Sequence, residues 1–317
     1  MTTVPSSLSL NTTTMLPRKL STLQRQRRWG WFFLSPWLIG FFVFTFVPIV
    51  VSLFFSFTNF TLSKPDQIQI IGFANWQKLF ADPLAMNALG VTIGFALLSL
   101  PVAVGVPILV AALLNSKFLI AKPVFRLLFY LPYMVPAISG IFVWQAFLNG
   151  QTGWLNRLLR SFGLNPPNWL QDATWIGPAM VLMSLWGIGN AVLITLATMQ
   201  GVPQELYDAS KVDGANATTA FFKITLPMIS PVIFYNLILN TIGLLQFFIV
   251  PYVLTEGTGR PNGAAYFFNM HLYKTAFLFQ DMGYGATMAW FIFLMALGLT
   301  IILFSTSRRW VYYAGGE

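Results

Sequence analysis

Along the 317-residue chain, long apolar stretches alternate with short charged connections. Six windows, 29–63, 83–116, 127–156, 173–204, 224–255 and 282–307, contain no Asp, Glu, Lys or Arg. They hold 35, 34, 30, 32, 32 and 26 residues. About 20 apolar residues cross a hydrocarbon core of about 30 Å, so each window accommodates one helix with its flanking turn and none accommodates two. The pattern predicts an all-α polytopic membrane protein with six transmembrane helices, near 29–57, 84–114, 124–147, 174–200, 228–254 and 286–305. Residues 1–28 then form a tail, 29–306 the membrane domain, and 307–317 a second tail. The stretch before Arg18 is rich in Ser and Thr and reads as disordered.

Composition agrees. Hydrophobic residues make up 56% and charged residues 9%, where a soluble domain carries roughly 25% charged. The net charge of +9 does not lie on a soluble face, which argues against nucleic acid as a partner. The basic residues instead give an orientation. Twelve lie in the N-terminal tail, the second-to-third and fourth-to-fifth connections and the C-terminus; six lie on the alternate side. The positive-inside rule places both termini in the cytoplasm. On the outer side, residues 264–279 suit either an amphipathic helix lying on that face or an irregular loop.

Several chemistries are excluded. The chain has no Cys and one His, which removes thiolate catalysis and leaves little for a metal site. No GxxxxGK[ST] phosphate loop is present. No window contains an Asp or Glu, which rules out an aspartyl intramembrane protease and disfavours a proton relay. What remains is a pathway lined by neutral polar and aromatic groups, suited to an uncharged, hydroxyl-rich solute. Pro48, Pro101, Pro107, Pro132, Pro136, Pro178, Pro231 and Pro251 fall within or near the spans and predict kinks or breaks. Gly90 and Gly94 have the spacing of a close helix contact.

The fourth-to-fifth connection, residues 201–227, reads GVPQELYDASKVDGANATTAFFKITLP. Pro203 suits the first turn of a helix and Glu205 its positive end. Leu206, Ala209 and Val212 recur at helical spacing. Asp213 and Gly214 break that helix, and Asp213 can cap a second one beginning at Ala215. The result is a short helix, a sharp turn and another short helix on the cytosolic side, with small residues that admit a partner closely.

At these residues the chain resembles the membrane subunits of binding-protein-dependent ABC importers. Their signature, EAA, two residues, DGA, five residues, F, two residues, I, one residue, LP, appears as Asp208–Ala209–Ser210, Asp213–Gly214–Ala215, Phe221, Ile224 and Leu226–Pro227. Asp208 and Ser210 depart from it conservatively. Further segments, among them FRLLFYLPYMVP, LWGIGN and MGYGATMAW, are similar to the carbohydrate-uptake permeases of the maltose and lactose type. The family's usual GGP is altered here to Gly257–Thr258–Gly259–Arg260–Pro261.

The resemblance implies a type I ABC importer permease fold in a bacterial or archaeal plasma membrane. It implies a second homologous permease, two ATP-binding-cassette subunits and an extracellular or periplasmic sugar-binding protein as partners. No cofactor is expected on this chain, with ATP and Mg on the ATPases. No catalytic role is expected either; Glu205, Asp208, Ala209, Ser210, Asp213, Gly214 and Ala215 would form the coupling loop to the ATPase. A self-sufficient carrier or channel for small neutral solutes, a scaffold, and a glycerol-phosphate importer are the alternatives.

Solute contacts should sit near mid-membrane. In the fourth span Ser184, Gly187 and Asn190 share roughly one face, with Trp186 beside them. In the fifth, Asn236, Asn240, Gly243 and Phe247 recur at four, three and four, with Gln246 adjacent. The resemblance to the maltose permease places contacts near Trp186, Gly187, Asn190, Asn240, Leu244 and Phe247. The competing role for these amides is hydrogen bonding between helices.

Overall fold

A computed structural model of the chain describes residues 22–313. It divides into two compact units, Met1–Ser52 and Leu53–Glu317. The expected disordered stretch before Arg18 lies outside the described residues, as does the tail beyond Tyr313. From Thr22 onward the chain is helical, seven residues earlier than the charge pattern suggests for the first span.

Helix α1 (Thr22–Phe41) of the first unit widens into one π turn at Phe42–Phe46, and α2 (Val47–Phe55) follows directly and ends in the second. Pro48 accounts for the widening. It has no N–H for the carbonyl four residues back, and its ring would strike that carbonyl in a regular helix. Apolar side chains around this helix, such as Trp31, Phe33, Phe44 and Val50, are exposed, as a lipid-facing or partner-facing helix requires.

The second unit is built around one long helix. After α3 (Ala74–Ala81), α4 runs from Pro83 to Asn115. Asp82 starts it, its carboxylate accepting the N–H groups of Leu84 at 2.9 Å and Ala85 at 3.3 Å, while Pro83 fills a position whose N–H would be unpaired anyway. Next come α5 (Lys122–Tyr130), a 3₁₀ turn at Leu131–Met134, α6 (Ala137–Phe147), α7 (Trp154–Ser161), α8 (Ile176–Leu185) and α9 (Gly189–Gln200). The short α10 (Gln204–Val212), α11 (Ala217–Ala220) and α12 (Leu226–Met228) lead to α13 (Ser230–Leu245) and α14 (Ile249–Thr255). The chain closes with α15 (Phe268–Tyr273) and α16 (Met282–Ser307).

Helix α4 packs against α8, α9, α13 and α15, and the buried side chains of Phe95, Ile176, Met180, Leu244 and Phe267 fill the space between them. Leu97, Leu109 and Leu113 on its other side stay exposed. Among the described residues, no atom lies within 4 Å of where a Cβ would stand at Gly90 or Gly94. Gly189 differs. A Cβ there would sit 2.3 Å from the carbonyl oxygen of Phe129, so α9 approaches α5 at a distance only glycine allows.

Four helical stretches, Arg25–Phe55, Pro83–Asn115, Ser230–Thr255 and Met282–Ser307, are long and apolar enough to cross a membrane. Two bent pairs make six when each is taken as one span: Lys122–Met134 with Ala137–Phe147, bent by 104°, and Ile176–Leu185 with Gly189–Gln200, bent by 53°. The third and fourth spans are thus sharply broken rather than continuous over 124–147 and 174–200. Pro132 and Pro136 bracket the larger bend, with Val135 extended at its apex, as expected where proline removes helix donors.

Residues 264–279 resolve into α15 and a π turn at Lys274–Leu278. The segment does not merely lie on a surface: Phe267, Phe268 and Met270 are fully buried. The N–H of Phe268 donates to Thr92 Oγ1 at 2.9 Å, fixing α15 to α4.

Candidate solute cavity and docking segment

A cavity of about 310 Å³ lies against the midpoint of α4. It is lined by Ser184, Gly187 and Asn190 from the α8–α9 pair and by Asn236, Asn240, Leu244 and Phe247 from α13 and the turn after it. The sequence spacing therefore brings seven of the expected contacts together. The lining also includes Ser99 of α4 and Tyr133 of the 3₁₀ turn, which sequence reasoning missed. Ser99 sits in an unbroken apolar run that gives it no distinction. Tyr133 had a usable signal in the prolines on either side of it.

The helices are interrupted at the level of this cavity. The α8–α9 bend falls between Leu185 and Gly189, and α13 ends at Leu245 before α14 begins at Ile249. The 3₁₀ turn that carries Tyr133 leads into the 104° bend. Irregular backbone within a membrane is tolerated only where protein or a water-filled space satisfies its polar groups, and discontinuous helices of this kind frame solute sites in transporters.

Polar groups point into the space with capacity to spare. Among the described residues, the side chains of Ser99, Asn190 and Asn236 form no hydrogen bond. Asn240 donates its amide to the backbone oxygen of Asn236 at 2.8 Å, and Ser184 donates to Met180 O at 2.9 Å, leaving an acceptor on each. No Lys, Arg, Asp or Glu lines the cavity. Phe247 is fixed as a wall: its ring stacks on Phe95 at 4.7 Å and meets Phe267 at 5.3 Å.

Two expected contacts lie elsewhere. Trp186 turns away to α6, where its ring meets Trp144 edge-on at 6.1 Å and covers Gly140. Residues two apart on a helix project to nearly opposite sides, so Trp186 cannot share the face of Ser184. Gln246 follows the last residue of α13 and lines a neighbouring hollow instead.

The segment 201–227 forms the expected short helix, turn and short helix. Pro203 stands one residue ahead of α10, and Glu205 lies in its first turn. Gly214 has φ +78°. Its N–H donates to Lys211 O at 3.0 Å and that of Ala215 to Ser210 O at 2.8 Å, the paired bonds of a Schellman ending. The cap of the second helix is Asn216, whose side chain accepts from Thr219 N at 2.8 Å. Asp213 has no such bond and ends α10 instead, because the Schellman turn needs two further residues before a helix can restart.

Helix α10 has two distinct faces. Leu206, Ala209 and Val212 are exposed, as are Glu205, Asp208, Asp213 and Gly214. Tyr207, Ser210 and Ala215 turn inward with Asn115 at the end of α4, around a cavity of about 390 Å³. Tyr207 Oη and Thr225 Oγ1 are hydrogen-bonded at 2.8 Å, joining α10 to the π turn at Phe221–Thr225 that leads into α13. Hydrogen bonds from Lys211 at 2.7 Å, and then Gln204, hold the Asp208 carboxyl below its ordinary range.

At the opposite end of α4, Asp82 Oδ2 accepts from Tyr284 Oη at 2.9 Å and meets His271 Nε2 at 3.3 Å. His271 Nδ1 meets Tyr266 Oη at 3.1 Å. Lys78 pairs with Asp281 at 3.0 Å and lies over the Tyr284 ring. No sequence signal marked this cluster, since Lys78 and Asp82 lie more than 180 residues from His271, Asp281 and Tyr284.

Residues 91–314 match the family model of the binding-protein-dependent transport system inner membrane component. The chain belongs to this family. The matched region contains every residue that lines the cavity and the whole of the segment 201–227. A probable ABC transporter permease protein, YesP of Bacillus subtilis, is 34% identical over 95% of this chain and 97% of its own length. The arabinooligosaccharide transport permease AraP of the same organism is 31% identical, covering 85% of each chain. Among solved structures, a chain of a bacterial alginate ABC transporter in complex with alginate pentasaccharide-bound periplasmic protein superimposes with a TM-score of 0.76 at 23% identity, over 90% of this chain and 96% of that one. The fold is therefore that of an importer permease, and this permease is an integral, multi-pass membrane component.

Proposed function

We propose that this permease carries a sugar across a bacterial or archaeal plasma membrane, with both termini in the cytosol. One observation supports the solute class above others. The cavity at mid-helix is lined by amides and hydroxyls with hydrogen-bonding capacity to spare, an aromatic wall and no charge. Ser99, Asn190 and Asn236 are open to the cavity and their side chains make no hydrogen bond among the described residues, so they offer donors and acceptors to a ligand that can return several hydrogen bonds. A neutral polyol does so; a phosphorylated solute would need a cation that the lining lacks.

Membership of the family supports the remaining parts of the reading. A second homologous permease completes the pathway, and an extracellular or periplasmic sugar-binding protein delivers the solute. Two ATP-binding-cassette subunits hold ATP and Mg and grip α10 by its exposed face of Leu206, Ala209 and Val212. Closure of the ATPases moves α10, and the Tyr207–Thr225 bond passes that movement to α13, which lines the cavity. Alternating access then arises from rigid-body motion of packed helices. The chain itself performs no bond chemistry.

Proteoliposomes holding both permeases, the ATPases and external binding protein should take up labelled sugar only with ATP inside. Asn190→Ala should weaken apparent sugar affinity about tenfold, as expected for loss of one hydrogen bond together with the desolvation it offset, with assembly unchanged. Sugar flux through this chain alone would establish a carrier and overturn the reading.

A further inference from the structure

Beside the central cavity lies a second hollow of about 590 Å³, lined by Gln246, Phe248, Asn269 and Tyr273 among others. Gly243 and Phe247 line both spaces. The two spaces are therefore adjacent, with Phe247 and Gly243 at their boundary, and no atom lies within 4 Å of where a Cβ would stand at Gly243. The break after Leu245 creates this arrangement. Once the helix stops, Gln246 and Phe248 line the hollow, and Phe247 lines both spaces.

The chemistry of the hollow repeats that of the cavity. Among the described residues, neither the Gln246 nor the Asn269 amide forms a hydrogen bond. Beside them the rings of Phe248, Tyr252 and Tyr273 lie 5.1 to 5.4 Å apart in a continuous aromatic cluster. No charged side chain lines the hollow. Amides that satisfy neighbouring hydroxyls, next to an aromatic face that covers C–H groups, describe a saccharide surface. A lipid chain would leave both amides unpaired.

We infer that the hollow is a second saccharide subsite and that the solute is a neutral oligosaccharide, one unit in the cavity and the next over Tyr273. This rests on the central cavity as the first subsite. The chain-length requirement belongs to Asn269 and Tyr273; binding of a single unit belongs to Asn190.

The test uses the assembled transporter in lipid nanodiscs and titrates three length series: glucose with maltose and maltotriose, glucose with cellobiose and cellotriose, and arabinose with its α-linked dimer and trimer. In one series or more, the dimer or trimer should bind about tenfold more tightly than the monosaccharide. Tyr273→Ala and Asn269→Ala should erase that gain while leaving monosaccharide affinity as it was, and Tyr273→Phe should keep it. Asn190→Ala should weaken all members of a series alike. The inference is overturned if no saccharide binds, if no series shows a gain with length, or if Tyr273→Ala weakens monomer and oligomer equally. It is also overturned if that variant loses the second permease while length dependence persists, which would make the hollow an interface between subunits. Should Asn190→Ala change nothing while Tyr273→Ala still erases the gain, the central-cavity assignment fails and the outer subsite stands.

Discussion

At the scale of single residues, two glycines show how different reasons lie behind the same letter. Gly189 is set by space, since a Cβ would strike the backbone of α5. Gly214 is set by conformation alone: no atom lies within 4 Å of where its Cβ would be, but its φ is +78°. A left-handed residue other than glycine costs about 1–2 kcal/mol, with Asn and Asp the exceptions. Gly214→Val should therefore insert and assemble, but misplace the end of α10 and lower ATPase-coupled uptake roughly tenfold. Gly214→Asn should retain most of it. Equal uptake by the Val and Asn variants, in assembled transporter, would remove the conformational argument. The need for positive φ here was legible from Asp213–Gly214 following a helical run; the close approach at Gly189 was not, because it depends on where α5 lies.

At the scale of elements, the sequence specified where spans begin and end but not where they break. Charges mark helix ends because they are costly in hydrocarbon, and the first, second, fifth and sixth spans agree within a few residues with the expected ones, except for the earlier start at Thr22. The breaks depend on tertiary packing. Pro101 and Pro107 sit inside the continuous α4, while the α8–α9 bend contains no proline at all. The face 236, 240, 243 and 247 was legible from helical period; the turn of Gln246 into the hollow was not, since it requires α13 to end. The Tyr207–Thr225 bond joins α10 to the turn that leads into α13. A hydrogen bond of this kind contributes about 0.5–1.5 kcal/mol, too little to unfold the chain but enough to loosen the coupling of α10 to α13. Tyr207→Phe should leave basal ATPase activity and assembly intact and lower sugar transported per ATP by a few-fold. An unchanged ratio would assign transmission to another contact.

At the scale of the whole molecule, the cluster around Asp82 ties together α4, α15 and α16, and it makes their association depend on pH. Burial keeps the His271 imidazole below its ordinary pKa, aided by the charges of Lys274 and Lys78 and opposed by its bond to Asp82. Burial would raise the Asp82 carboxyl, but the bonds from Tyr284, the Ala85 N–H, His271 and the Leu84 N–H together hold it lower. Both groups bind protons less readily when packed than when released. Opening therefore takes up protons in the window between the two states, and stability rises with pH there. The contribution of His271 is complete above about pH 6.5 and is lost as pH falls through its lowered value; that of Asp82 is lost only below about 3.8. Hydrogen exchange on the transporter in nanodiscs, corrected for the intrinsic pH dependence, should show residues 266–284 losing protection progressively below about pH 6.5. The segment 201–227, which lies at the other end of α4, should not follow. His271→Gln carries no titrating proton and should flatten the response between pH 8 and 5, at some loss of protection throughout. Protection in the native chain that stays constant down to pH 5, or a His271→Gln variant with the same slope, would show that this cluster is only a structural tie.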